Sequence, residues 1–237
     1  MELEATISAN LAAVRERLDR AAAAAGRAPG DIRLIAVSKT FGIAHVEAAA
    51  AAGLRDLGEN RVQEALEKQA AAPALPVRWH LIGHLQSNKA RKAVAFDWIH
   101  SVDSAALLER LDRAADDAGR SPRVLAQVDL AGEATKHGAP EDEARRIVEA
   151  AAGCRAVRLR GLMVLPPWSD DPEAARPWFR RLRALRDELQ AGAPASVRLD
   201  ELSMGMSHDF EAAIEEGATM IRVGTAIFGR RTRPGGA

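Results

Sequence analysis

The feature that most constrains the fold of this sequence is a regular alternation of short apolar segments with longer amphipathic segments along nearly the whole chain. The apolar segments are rich in β-branched and aliphatic residues and are bounded by glycine, proline or polar residues, which is typical of short buried strands. Strands are predicted within Ile32–Thr40 and at Leu54–Leu57, Val77–Ile82, Asp97–Val102, Arg123–Val128, Leu159–Leu165, Leu199–Leu202 and Met220–Val223. Strands that alternate with helices pair in parallel, and eight such units close into a barrel.

Amphipathic segments with apolar residues at helical spacing separate these strands. Helices are predicted at Leu3–Ala25, Ile43–Ala52, Arg61–Ala72, Gln86–Ala95, Ser104–Ala118, Glu141–Ala152, Glu173–Ala191 and Asp209–Glu216, so that every strand but the last is followed by a helix. The predicted fold class is therefore α/β, a single (β/α)8 TIM-type barrel over residues 1–229 with an extra N-terminal helix, although one miscounted strand would give an open doubly wound sheet instead. The short, basic, glycine-rich tail Arg230–Ala237 is expected to be disordered.

Composition and charge argue against several classes of function. The 33 basic and 33 acidic residues balance, so no overall charge draws the protein to nucleic acid or to an anionic membrane. The basic run Asn88–Lys92 contains no aromatic residue that could stack on bases, so it is interpreted as a solvated helix face. The apolar runs are too short to span a bilayer. A lone cysteine, Cys154, and an N-terminus without a signal-peptide pattern favour the cytoplasm.

Polar residues and glycines gather at the carboxyl ends of the predicted strands, which form the functional face of a barrel of this kind. Lys39 ends the first strand, where its ammonium is costly to bury unless it lies in a polar cleft. Hydroxyls and backbone N–H groups follow strands seven and eight, at Ser203, Gly205, Ser207, Gly224 and Thr225. The last two loops of such barrels commonly bind a phosphate, although serine and glycine are also ordinary turn and helix-cap residues.

A lysine and a phosphate site at one barrel mouth suggest pyridoxal 5′-phosphate (PLP), whose aldehyde forms a Schiff base with lysine. The pyridine nitrogen of that cofactor needs a partner, and Arg222 at the end of strand eight is placed to be that partner. A guanidinium can only donate a hydrogen bond, so it would keep the ring nitrogen unprotonated and weaken the ring as an electron sink. An ordinary salt bridge at a strand end remains the alternative role of Arg222.

Long motifs in the sequence carry a resemblance to a known family. They are Ile35–Thr40, Gly58–Asn60, Val62–Glu64, Trp79–Lys89, Gly161–Met163, Leu202–Ser207 and Ile221–Gly229. From Leu11 to Gly229 the chain thereby resembles the pyridoxal phosphate homeostasis protein family, which is similar to the N-terminal barrel of bacterial alanine racemases. Two positions depart from the family pattern: Arg61 stands where many members have a tyrosine, and the tail lacks the usual aspartate-tyrosine ending.

The resemblance implies a barrel that binds PLP through a Schiff base on Lys39 and serves the homeostasis of this cofactor. By motif position, the phosphate would be bound by Ser203, Gly224 and Thr225, the ring nitrogen would face Arg222, and Asn60 would lie beside the cofactor. Secondary candidates at the same face are Lys136, as a second amine, His80 and Met204. No metal site is predicted.

The sequence favours a carrier of the cofactor over an amino-acid racemase, so no catalytic residue is assigned. A two-base racemase needs a second acid or base, which in alanine racemases is a tyrosine of a separate C-terminal domain. This sequence contains no tyrosine, and we expect no second domain. His80, His84 or His137 could in principle replace that base, but a histidine in such a loop is more often a hydrogen-bonded structural residue. The predicted partners are PLP and, as transient recipients, PLP-dependent apo-enzymes.

Two alternatives remain open. One is a PLP enzyme of weak activity, such as a racemase. The other is a cofactor-free lyase that forms a Schiff base between Lys39 and its substrate, which would require a depressed lysine pKa and a carboxylate pair such as Glu59 and Asp129. Both carboxylates are interpreted equally well as partners of nearby arginines.

Overall fold

Parallel strands close into a barrel in which each strand is hydrogen-bonded to its neighbours in sequence and the last strand pairs with the first. The computed structural model describes residues 2–132 and 137–229. The strands are β1 (Arg33–Val37), β2 (Asp56–Glu59), β3 (Arg78–Leu81), β4 (Trp98–Val102), β5 (Arg123–Val128), β6 (Arg158–Val164), β7 (Glu201–Met206) and β8 (Met220–Val223). The predicted (β/α)8 TIM-type barrel is confirmed, and all carboxyl ends of the strands lie at one end of it.

Helices surround the barrel. They are α1 (Glu2–Ala24), α2 (Ile43–Ala51), α3 (Val62–Ala71), α4 (Ala90–Ala93), α5 (Ala105–Asp117), α6 (Glu141–Ala151), α7 (Arg176–Gly192), α8 (Phe210–Glu215) and α9 (Thr225–Phe228), with 3-10 turns at Pro29–Asp31, Ser87–Lys89 and Pro172–Ala175. The predicted N-terminal helix is α1, which packs on α2, α8 and α9. Within the described ranges, no helix has both the length and the apolar character needed to cross a membrane.

Two predicted strands are displaced in the structure. We predicted a strand at Leu54–Leu57, whereas β2 is Asp56–Glu59, and we predicted one at Leu199–Leu202, whereas β7 is Glu201–Met206. Both true segments contain glycine and polar residues, which have low intrinsic strand preference. Pairing with the neighbouring strands overrides that preference, because strand formation depends strongly on tertiary context.

Two helical predictions also differ from the structure. The helix predicted at Gln86–Ala95 is only a 3-10 turn followed by the single turn α4, and the chain then turns inward at Phe96, which is fully buried. The last strand, for which no helix was predicted, is followed by α9. The side chain of Asn10 on α1 donates to the carbonyl of Ile227, 2.9 Å away, so packing on α1 helps to fix this short helix.

The barrel has an apolar outer layer and a partly polar lumen. The outer layer lies between strands and helices and contains most of the buried apolar side chains. The small apolar cluster of the lumen consists of Ile35, Trp98, Leu125, Met163 and Met220. Buried polar side chains of the strands include Asp56, His80, His100, Ser203 and Arg222. Buried polar groups are costly unless they are hydrogen-bonded, so the lumen must contain an ordered polar network.

A glycine in β7 lets α8 pack closely on the barrel. Gly205 has φ +88°, a backbone conformation that favours glycine. A Cβ atom at this position would lie 2.5 Å from the Cβ of Ala213 and 3.0 Å from the Cα of Phe210, both on α8. The close contact fixes the turn between β7 and α8, which belongs to the candidate site.

Candidate cofactor site

The candidate residues converge on an arc of four neighbouring strands in the order β7, β8, β1, β2. Asn60 follows β2, Lys39 follows β1, Gly224 follows β8, and Ser207 follows β7. Because these strands are parallel, the four positions lie at the same end of the barrel. The strand order therefore places Lys39 between Asn60 on one side and Gly224 on the other.

Lys39 lies two residues beyond the end of β1, in a turn, and its side chain is half-buried. The loop after β8 approaches the same strand end. A Cβ atom on Gly224 would lie 3.4 Å from the Cβ and the carbonyl oxygen of Val37, so this loop contacts the last residue of β1. Farther along, the ring of Phe228 lies 5.2 Å from the ring of Phe41. The turn that carries Lys39 and the loop Gly224–Thr225 are thus held together.

Arg222 is a buried cation with neutral hydrogen-bond partners. Its Nη1 donates to the hydroxyl of Ser203 at 2.6 Å, and its Nη2 donates to the carbonyl of Val164 at 2.9 Å. Among the described residues no carboxylate makes an ion pair with this guanidinium, so the alternative role in an ordinary salt bridge is wrong there. Burial lowers the pKa of Arg222 to about 10, although the charge of Asp209 opposes this. The guanidinium remains charged at neutral pH.

The two serines of the β7 motif occupy different levels of the barrel. Ser203 was placed in a loop by the sequence, but it lies inside β7 with its side chain fully buried. Ser207 follows the strand, is half-buried, and its hydroxyl accepts the N–H of Gly224 at 3.1 Å. Ser207 therefore joins the loops after β7 and β8 at the barrel mouth, whereas Ser203 supports Arg222 from below.

The loop after β3 fixes the position of Asn60. A Cβ atom on Gly83 would lie 2.3 Å from the carbonyl oxygen of Asn60 and 2.7 Å from its Cα. Only glycine permits this approach, because any side chain would have to displace backbone atoms. Asn60 is half-buried at the end of β2, and the family resemblance implies that it lies beside the cofactor.

A chain of hydrogen bonds crosses the lumen from the first residue of β2 to Arg222. His80 Nε2 lies 2.8 Å from Asp56 Oδ1, and His80 Nδ1 lies 3.0 Å from His100 Nε2. His100 Nδ1 lies 2.9 Å from the hydroxyl of Ser203, which accepts from Arg222. The chain is buried throughout and connects the amino-terminal end of the barrel with the arginine of the candidate site.

The chemistry of its two ends fixes the direction of this chain. A carboxylate can only accept, so His80 donates from Nε2 to Asp56 and its Nδ1 accepts from His100. The other nitrogen of His100 then accepts the Ser203 hydroxyl proton, and that oxygen accepts from the guanidinium, which can only donate. Every bond is satisfied with both histidines neutral and protonated on Nε2. The tautomers of both histidines are thus assigned from which neighbouring groups can donate a hydrogen bond and which can only accept one.

The pKa directions agree with this assignment. Burial lowers the pKa of His80, which Asp56 opposes, and it lowers that of His100 well below the usual value, with a further contribution from His80. Burial alone would raise the pKa of Asp56, but the hydrogen bonds from His80 and Arg78 outweigh it and hold the value below its ordinary range. Asp56 is therefore ionised and both imidazoles are neutral at neutral pH.

Lowering the pH from 7 to 5 is expected to destabilise the protein. The unfolded histidines take up protons near pH 6.5, whereas His80 and His100 have lowered pKa values in the folded state. The unfolded state then binds more protons than the folded state. As the pH is lowered, the free energy of unfolding therefore decreases, and each of the two histidines contributes up to about 1.4 kcal/mol per pH unit. Urea unfolding at pH 7, 6 and 5 measures this slope. His100→Gln should reduce this slope, and an equal slope in the wild type and this variant would contradict the assignment.

The sequence matches the family model of the alanine racemase N-terminal domain over residues 9–232. The pyridoxal phosphate homeostasis protein of Pseudomonas aeruginosa is 48% identical over 228 residues, which are 95% of this chain and 96% of that protein. The chain belongs to the pyridoxal phosphate homeostasis protein family. The resemblance inferred from the motifs is thereby confirmed. The family member of Escherichia coli K12 is 40% identical over 232 residues, 95% of this chain and 97% of that one.

Two solved structures share the fold of this homeostasis family member. PipY of Synechococcus elongatus PCC7942, solved with PLP bound, has a TM-score of 0.84 and 47% sequence identity over 94% of this chain and 100% of that chain. The alanine racemase of Streptomyces coelicolor A3(2) has a TM-score of 0.72 and 26% identity, and the match covers 95% of this chain but 58% of the racemase chain. The barrel is shared between the two groups of proteins.

The structure does not bring every predicted residue to the mouth. The side chain of Met204 is fully buried in the outer apolar layer, on the opposite face of β7 from Ser203. His80 lies in the lumen rather than in a loop, because it belongs to β3. The predicted second amine, Lys136, and the tail at 230–237 lie outside the described residues.

The carboxylates of the lyase alternative have other partners than arginine. Glu59 pairs with Lys68 at 2.7 Å and accepts the Ser38 hydroxyl, and burial raises its pKa. Asp129 accepts two backbone N–H groups of its own loop, at 3.1 and 3.0 Å. The interpretation of both as partners of nearby arginines is wrong within the described residues. No cluster of His, Cys, Asp or Glu there is arranged to hold a metal ion.

Proposed function

We propose that this protein holds PLP as a Schiff base on Lys39 and serves the intracellular homeostasis of that cofactor. The observation that supports the proposal is that a half-buried lysine follows β1, while the neighbouring strand β8 carries a buried arginine with neutral hydrogen-bond partners. The names of the relatives and the PLP-bound structure of PipY support the cofactor and the role.

The residues of the site fit the pyridine ring of PLP. A ring nitrogen without a proton is an acceptor, and Arg222 is a fixed donor whose orientation is set by Ser203 and the Val164 carbonyl. A guanidinium does not give up its proton at neutral pH, so it favours the unprotonated ring. Asn60, fixed by the close approach of Gly83, is the neighbour of Lys39 on the other side.

The phosphate group of PLP fits the loops after β7 and β8. The family resemblance implies Ser203, Gly224 and Thr225 as its ligands. The exposed Thr225 and the half-buried Gly224 lie at the mouth, and the hydrogen bond from Gly224 brings Ser207 to them. We therefore add Ser207 to the phosphate ligands, while the buried hydroxyl of Ser203 is already shared between Arg222 and His100.

The site is suited to holding the cofactor rather than to turning over amino acids. PLP supplies an aldehyde for a Schiff base and a ring that withdraws electrons when its nitrogen is protonated. Arg222 opposes that protonation, and the sequence contains no tyrosine that could act as a second base. The buried His80 is committed to the lumen chain on both of its nitrogens. We propose delivery of PLP to apo-enzymes in the cytoplasm as the outcome of this binding.

Borohydride reduction of the wild-type protein mixed with PLP tests the proposal directly. Reduction makes a Schiff base permanent, so peptide mass mapping is expected to find the reduced pyridoxyl mass on the peptide that contains Lys39. Lys68 is buried and hydrogen-bonded three times, which makes it an internal control that should stay unlabelled. Absence of label from the Lys39 peptide, with label spread over exposed lysines such as Lys89 and Lys92, would overturn the assignment.

A further inference from the structure

A buried ion cluster lies against the turn that carries Lys39. Lys68 Nζ lies 2.7 Å from Glu59 Oε1 and 2.8 Å from Glu64 Oε1. The side chain of Lys68 is 7% exposed and that of Glu59 is fully buried. The hydroxyl of Ser38 also donates to Glu59 Oε1, at 2.6 Å. Glu59 ends β2, whereas Glu64 and Lys68 are one turn apart on α3, so the cluster joins two elements to the end of β1.

The cluster holds both peptide groups that flank Lys39. Lys68 Nζ donates to the carbonyl of Ser38, 3.0 Å away, in the peptide group that precedes Lys39. Glu64 Oε1 accepts the N–H of Thr40 at 2.6 Å, in the peptide group that follows it. The backbone on each side of Lys39 is therefore fixed by a charged side chain, and hydrogen bonds to charged groups are the stronger kind.

The turn needs such support because its backbone is strained. Thr40 has φ +69°, in the left-handed region. Among the described residues, all others with a positive φ are glycines. A β-branched residue rarely adopts this conformation, which persists only where the surroundings impose it. The hydrogen bond from the Thr40 N–H to Glu64 supplies that restraint. Without it, we expect the turn to relax and the Lys39 side chain to leave its position.

A cluster of three charges, two of them buried and the third, Glu64, partly exposed, is an expensive way to gain stability. Desolvation of a buried ion pair can exceed its attraction, and well-packed apolar side chains often stabilise a site equally well. A salt bridge with one lysine, two carboxylates and two backbone contacts is better explained by the geometry that it imposes. We propose that Lys68, together with Glu59 and Glu64, positions Lys39 for reaction with an aldehyde.

The proposal rests on the proposed function, because the aldehyde is that of PLP. In the reaction, the neutral amine of Lys39 adds to the aldehyde carbon, a C=N bond replaces the C=O bond, and the oxygen leaves as water. Lys68 takes no part in these steps. It acts through the backbone of residues 38–40, so it is a positioning residue.

The test compares Lys68→Met and Glu64→Gln with the control Glu67→Gln, which changes an exposed carboxylate on the same helix that accepts a hydrogen bond from Gln63. The first readout is hydrogen exchange of the Thr40 amide in the cofactor-free protein, which we expect to be about tenfold faster in both variants. The second is the rate of appearance of the visible Schiff-base band with PLP, which we expect to be about tenfold slower. The control should stay within about twofold of wild type in both.

The two readouts separate failure of this inference from failure of the proposed function. Exchange and band formation within twofold of wild type in Glu64→Gln would overturn the positioning role, and this variant decides the matter if Lys68→Met does not fold. If the wild type forms no Schiff base with PLP, the proposed function fails. Exchange at Thr40, and labelling of Lys39 by an amine-selective reagent across a pH series, would then still support or overturn the role of Lys68.

Discussion

Replacing Lys39 by alanine is expected to abolish the visible Schiff-base band and to remove most of the thermal stabilisation that PLP gives to the protein. A ligand that binds only the folded state at a concentration of 100 Kd adds about 2.7 kcal/mol, which raises Tm by roughly 5–10 °C for a chain of this size. Alanine removes the amine that forms the covalent bond, while Arg222 and Ser207 remain in place. The variant should therefore bind PLP weakly and without the band.

Thermal unfolding with and without PLP, recorded together with the visible spectrum, measures this effect. The matched control is Lys89→Ala, because Lys89 is an exposed lysine in the loop region after β3. This control should keep the full band and the full shift in Tm. A band and a shift of wild-type size in Lys39→Ala would show that another amine holds the cofactor, and the assignment of Lys39 would be wrong.

The fold and the main site residues could be predicted because their signals are local. Short apolar strands, intervening amphipathic helices and glycines at strand ends each extend over a few residues, and parallel pairing then brings the strand ends together. Asn60 and Gly224 directly follow a strand and Lys39 lies two residues beyond one, so the sequence drew attention to all three positions. Their roles toward the cofactor are predictions.

The position of Ser203 shows where a local signal fails. Serine and glycine ended the predicted seventh strand at Leu202, but pairing with β6 and β8 carries the true strand on to Met206. This shift moves Ser203 from the mouth into the lumen and leaves Ser207 as the serine that follows the strand. A strand boundary depends on its neighbours, which a propensity argument does not contain.

The polar chain of the lumen could not be predicted, because its partners are distant in sequence. His80 and Asp56 are 24 positions apart, and His100 and Ser203 are 103 apart. Each residue alone looks like an ordinary polar residue near a strand end. Only the closed barrel makes them neighbours. The barrel also shows that Asp56 is the first residue of β2, whereas the sequence predicted it inside a strand that began at Leu54. The largest change in the free energy of unfolding that we expect comes from replacing Asp56, whose role the sequence did not predict.

Replacing Asp56 by asparagine is expected to lower the free energy of unfolding by about 3 kcal/mol, the lower end of the range for breaking a buried ion pair. The carboxylate accepts from His80 and forms two hydrogen bonds with Arg78, at 2.8 and 2.6 Å, and Arg33 lies 3.8 Å away. An amide accepts with one oxygen only, so its NH2 group would face a donor. The lower end applies because the Arg78 side chain is 49% exposed and water can replace part of the interaction.

Urea unfolding at pH 7 measures the cost, and an unchanged m-value would show that the denatured state is not altered. Asp117→Asn is the control, because its ion pair with Arg91 is 3.8 Å long and exposed, and it should cost less than about 0.5 kcal/mol. If Asp56→Asn lowered the free energy of unfolding as little as the control does, the chain of hydrogen bonds assigned to the lumen would be contradicted. His80 would then have no fixed acceptor, the direction of the hydrogen bonds would no longer follow from Asp56, and the neutral tautomers through which Ser203 supports Arg222 would lose their basis.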